Sequence, residues 1–273
     1  MELFSSWTGS DFLLFYIMLL GLCAFAAWWM PAHLREPGRR GESEDLESIA
    51  LLAGGPQRMA DSLLADLYVR GALVPADKGK LHVAARDLPV SPGGKALLAI
   101  DAPVSLADAR KAIHIHADRV AARLRRSGLL LRPEEHARMR WLSVMPFAAL
   151  FLLGLYRQRA GSTLGEPTGF LVILLGLTLM LAVIRFVKSD PRTAAGLAAL
   201  KDMRARNSRF SRAPRPDEAA MAVALFGTSV LVGTPWEPVH AMRKQEGDSG
   251  GGADSSSDSG SGCGGGGCGG CGG

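Results

Sequence analysis

The chain is 273 residues long, 48% hydrophobic and 21% charged, with a formal net charge of +5, which leaves room for one or two domains. The basic excess is too mixed in sign to argue for nucleic acid. No Ser-His-Asp or Cys-His arrangement and no phosphate-cradling glycine loop can be placed on a helix or strand, so a non-enzymatic protein without catalytic residues or a resident cofactor is expected.

Residues 1–11 precede an uncharged run, FLLFYIMLLGLCAFAAWWM, over residues 12–30. About 20 apolar residues cross a bilayer as a helix, so this is the first predicted transmembrane segment. A cleaved signal peptide is disfavoured. The preceding residues contain no Lys or Arg and include Glu2 and Asp11, where a signal would be basic. Trp28 and Trp29 fit an interfacial aromatic belt. Arg35, Arg39 and Arg40 follow the run, so the N-terminus is placed outside and the next segment in the cytoplasm.

Residues 42–140 are read as a helical cytoplasmic domain. ESEDLESIALLA opens with acids, which favour a helix N-terminus. Gly54-Gly55-Pro56 stops that helix, and Pro56 can begin another. In the second helix Ala60, Leu63, Leu64 and Leu67 form one buried stripe, and Gly71 closes it. ALV-PADKGK-LHV reads as two short strands around a turn. Helix, turn, helix, hairpin is the outline of a winged-helix module. A further helix is capped by Ser105 and carries a stripe of Leu106, Ala109, Ile113, Val120 and Leu124. It ends at Gly128, and its ending RSGLLL resembles the earlier VRGALV. Gly93-Gly94 is read as a turn.

Two further apolar runs, residues 141–156 and 168–187, are separated by a loop at 157–167 and suit a transmembrane hairpin. Arg185 at the end of the third span and Lys188 and Arg192 beyond it outnumber Arg157 and Arg159 in the loop, which returns the chain to the cytoplasm. Residues 190–233 are a C-terminal helical region. Within it, EAAMAVALFGTSVLVG is apolar all round, and a packed or membrane-face helix is preferred to a fourth span. Residues 31–140 hold 18 basic and 14 acidic side chains and residues 188–246 hold 10 and 6, so each piece carries +4. Such mild basicity suits anionic lipid.

From Gly247 onward 14 of 27 residues are Gly and six are Ser, a composition that predicts disorder. Cys263, Cys268 and Cys271 in this tail follow C-x4-C-x2-C and are weak metal-ligand candidates. Structural zinc sites use four ligands, and an iron–sulfur cluster also needs a fourth cysteine. A reducing cytoplasm disfavours disulfides. Soft-metal capture, thiol modification, contact between chains and no role stay open. His114, His116 and Asp118 invite a metal, but on a helix the two imidazoles point about 200° apart. Arg119, Arg123, Arg125 and Arg126 invite DNA, but Asp101, Asp108 and Asp118 precede them with no interleaved aromatic; lipid headgroups or protein docking suit them better.

LLAGGPQRMADSLLADLYVRGAL, SDPRTAAGLAALKDMR, and AVALFG ahead of a Gly/Ser/Cys-rich tail resemble an uncharacterised bacterial membrane-protein family. The resemblance covers about residues 40–273. It implies one conserved cytoplasmic-type domain, a few transmembrane helices and a recurrent cysteine-bearing tail. It implies no activity and no functional residues. The expected fold class is therefore mainly α: an integral membrane protein with about three transmembrane helices, a small helical domain and a disordered tail. The expected function is docking or sensing, with membrane lipids and a membrane-associated protein as partners. The alternative is metal or redox handling by the tail cysteines.

Overall fold

The computed structural model describes residues 9–33, 35–39, 45–76, 80–101, 103–163 and 169–249. Nine α-helices and one two-stranded sheet lie among them. In chain order they are α1 (Gly9–His33), α2 (Leu46–Val69), β1 (Leu73–Pro75), β2 (Leu81–Val83), α3 (Pro92–Leu98), α4 (Leu106–Arg126), α5 (Pro133–Thr163), α6 (Gly169–Val187), α7 (Ala194–Arg206), α8 (Ala219–Phe226) and α9 (Glu237–Ser249). The chain forms two compact units, and each is discontinuous in sequence. One contains residues up to 43 and 121–202, the other residues 44–120 and those from 203 onward.

The first unit is built on α1, α5 and α6, which among the described residues are the three helices long and apolar enough to cross a membrane. Phe12, Tyr16, Leu20, Cys23 and Ala27 recur every three or four residues along α1 and are buried, the spacing of one helix face. They form one core with Phe147, Leu150, Leu171 and Leu175. α5 runs against α1: the Arg157 guanidinium lies over the Phe12 ring, and the Cys23 thiol reaches the Pro146 carbonyl. α6 runs with α1, since Tyr16 meets Thr178 at 3.0 Å and Arg185 donates to the Ala27 carbonyl at 3.0 Å. The Thr178 hydroxyl donates to the Leu174 carbonyl, so the Tyr16 hydroxyl is the donor to Thr178. α5 begins at Pro133 and ends at Thr163, well beyond the expected 141–156. Its proline start supplies a fixed φ where no N–H is needed, and helix continues past Arg157 and Arg159 into the expected loop.

At the end of α4, Gly128 N–H returns to the Arg125 carbonyl and Leu129 N–H to the Leu124 carbonyl. The same pair of bonds occurs after α2, from Gly71 to Tyr68 and from Ala72 to Leu67. Both are Schellman endings, which gives the likeness of VRGALV and RSGLLL a physical basis. The two exits then differ. Leu73–Pro75 pairs antiparallel with Leu81–Val83, whereas Leu130 bridges to Arg192.

The second unit has α2 at its centre. Gly54 and Gly55 break α2 where the sequence places a stop. From Arg58 to Leu67 no side chain is exposed, because α8 packs along α2 and α9 joins them. The apolar run 218–233 is therefore two pieces. The eight-residue α8 ends at Gly227, and a 3-10 turn, Thr228–Leu231, follows. Eight residues rise about 12 Å, far short of a bilayer core. Gly93 and Gly94 lie inside α3 rather than in a turn. Ser91 caps that helix through Gly94 N–H, and Gly93 N–H donates to the buried Glu47 carboxylate at 2.9 Å. A Cβ on Gly93 would stand 2.7 Å from that carboxylate and 2.8 Å from Leu63 Cδ1, so both side chains would have to shift to admit one.

Candidate functional site

The motif segments LLAGGPQRM and AVALFG meet in the second unit. Arg58 Nη1 donates to the Val223 carbonyl at 3.2 Å, and Arg204 Nε donates to the Leu225 carbonyl at 2.9 Å. Two arginines thus satisfy carbonyls at the C-terminal end of α8, where positive charge also complements the helix dipole. Gly54 makes room for this: a Cβ there would lie 2.7 Å from Arg58 Cβ. Gly55 (φ 71°, ψ −164°) and Gly227 (φ 99°, ψ 174°) adopt backbone conformations essentially reserved for glycine.

Beside Arg58 lies Asp61, 1% exposed, in an ion pair with Arg243 of α9. Its Oδ1 has no hydrogen-bond partner among the described residues. Burial pushes the Asp61 carboxyl above the ordinary carboxylate range, against the opposing pull of Arg243, Arg58 and Arg110. Nothing in the local sequence marks Asp61 as charged-paired, because Arg243 is 182 positions away. Asp108 behaves oppositely. Ser105 donates to it through hydroxyl and backbone N–H and holds its carboxyl below the usual range. The Asp108 N–H returns to Ser105 Oγ, which realises the expected cap of α4 as a reciprocal box.

A basic collar marks one end of the three-helix unit, where α1 ends, α5 begins and α6 ends. Arg35 donates to Asp190 at 3.2 Å and to the Arg192 carbonyl at 2.9 Å. His136 Nε2 lies 2.9 Å from Ser189 Oγ. Arg140 stands 3.7 Å above the Phe186 ring, and Trp141 meets the same ring edge-on. Arg138, Arg140, Arg185, Lys188 and Arg192 all belong to this end; Arg157 lies at the other.

The residues singled out by sequence are dispersed. His114 and Asp118 pair at 3.3 Å with side chains 73% and 71% exposed, and His116 is not part of that pair. The stripe of α4 is buried as expected, and Arg119, Arg123, Arg125 and Arg126 are exposed. Among the described residues no group of three His, Cys, Asp or Glu side chains could hold a metal. Cys263, Cys268 and Cys271 lie outside the described residues. α9, absent from the elements expected of the sequence, reaches Ser249, three residues into the expected tail. Its cue was Val239 and Met242 three apart behind Glu237 and Pro238; both apolar residues are buried.

No family model, curated protein or solved structure matches the chain.

Proposed function

We propose that the chain is an integral membrane protein in which the three-helix unit is the anchor and the second unit is a non-enzymatic docking or sensing module. The observation that carries this reading is the outward face of the three-helix unit. Leu14, Met18 and Phe25 on α1 are 62–70% exposed, and Leu152, Phe170, Ile173 and Met180 on α5 and α6 are similarly displayed. A contiguous apolar exterior around an apolar core suits lipid and not water. The arginine-rich collar supports an N-terminus outside, with the second unit and the tail in the cytoplasm. Membership of the uncharacterised bacterial family stays part of this proposal. It rests on the order of the quoted sequence segments alone.

The helix–break–helix–hairpin order keeps a winged-helix outline, but the second half of α2 is enclosed and cannot lie in a groove of DNA. Docking falls instead to the exposed face of α4, where His114, Ile115, Asp118 and Arg119 are neighbours. Affinity purification from native membranes should recover a partner set that Ile115→Glu/Arg119→Glu loses. An unchanged set from the folded variant removes docking through this face. The alternative, metal or redox handling by Cys263, Cys268 and Cys271, rests on their C-x4-C-x2-C spacing. Mass spectrometry of the purified chain beside a triple Cys→Ser variant tests it; identical metal content and thiol state dismiss it.

A further inference from the structure

The geometry points to a binding site for an anionic phospholipid on the α5–α6 face of the basic collar, with the Arg140 guanidinium holding the lipid phosphate. This inference rests on the membrane reading above. Arg140 has an aromatic support but no acceptor: among the described residues it makes no hydrogen bond or ion pair, and its Nε is buried without a partner. A guanidinium carries five N–H donors in a planar fork suited to phosphate oxygens. Stacking on Phe186 fixes that fork and removes water from one of its faces. Such a cation in a low-dielectric border needs a counter-charge, and the nearby Asp190 already accepts from Arg35 and from the Arg192 backbone.

The surroundings suit a lipid rather than a soluble anion. Trp141, 63% exposed, flanks Arg140 with its ring against Phe186, the level at which indoles sit in a headgroup region. Toward the bilayer centre the same two helices expose Met145 on α5 and Val183 on α6, apolar surface for acyl chains. Lys188 stands just past the end of α6 and adds positive charge at the same level. His136, one helical turn before Arg140, is tied to Ser189, which links the start of α5 to the end of α6. Arg138 lies about 200° around α5 from Arg140 and supplies a control with the same charge and nearly the same depth.

The test is to purify wild type, Arg140→Gln, Arg140→Lys and Arg138→Gln from carbonate-washed membranes in mild detergent, and to quantify retained phospholipid by mass spectrometry. Wild type and Arg138→Gln should retain phosphatidylglycerol in excess over its share of the membrane. Arg140→Gln should retain about five-fold less, the equivalent of about 1 kcal/mol per basic residue at an anionic surface. Arg140→Lys should fall between, since it keeps the charge but not the fork. Equal retention by Arg140→Gln and wild type overturns the lipid site. So does equal loss in Arg138→Gln, which would indicate general surface charge. Release of the lipid by inorganic phosphate, as complete as that caused by Arg140→Gln, overturns the lipid assignment in favour of a free anion. Extraction of the wild-type chain by carbonate without detergent would instead overturn the membrane reading itself.

Discussion

Asp61 and Arg243 are unequal members of their pair. The carboxylate is 1% exposed, whereas the Arg243 side chain keeps 27% of its surface in solvent. Removing the arginine leaves a buried carboxyl without its ion-pair partner, but removing the carboxylate leaves a guanidinium that can still be hydrated. Arg243→Ala should therefore cost on the order of 3 kcal/mol, and Asp61→Asn clearly less, in thermal unfolding of the detergent-solubilised chain. The pH dependence has a definite sign. Because burial raises the Asp61 pKa, the folded chain keeps a proton that the unfolded chain has released. The stability from this group is fully present below the ordinary carboxylate range and is lost as pH rises through the raised value. Asp61→Asn should flatten that fall; an unaltered pH profile would mean that Asp61 is not the group responsible.

Among the elements, α8 depends on a glycine more than on its own propensity. Gly227 sits at φ 99° and ψ 174°, so Gly227→Ala should destabilise the second unit by about 1–3 kcal/mol. Limited proteolysis should then cut first near the 3-10 turn at Thr228–Leu231. The stripes on α2 and α4, their glycine endings, the β1–β2 hairpin and three apolar spans were all legible from spacing alone, since each is a local pattern. The partner of α8 was not. A helix apolar all round announces that it is enclosed but not by what, and α2 lies more than 150 residues upstream. Arg58 and Asp61 looked like ordinary polar residues between Gln57 and Ser62. Only their tertiary partners, the Val223 carbonyl and Arg243, give them roles. Gly93 was misread for a similar reason, because the Glu47 carboxylate that it approaches is 46 positions away.

At the scale of the whole molecule, the interleaving of the two units sets an order of assembly. The second unit starts with residues 44–120, yet α8 and the turn after it are not made until residues 219–231. All three apolar spans are synthesised before α2 receives its cover. At about 5–20 residues per second, α2 waits on the order of 10 s with Leu63, Leu64 and Leu67 lacking the helix that later encloses them. A chain halted after residue 187 should therefore carry a protease-sensitive α2 even though its three long apolar helices are complete, and the full-length chain should protect it. Biogenesis of the second unit is in that sense closed from its C-terminal side: α8 and the turn after it decide when α2 becomes safe from degradation.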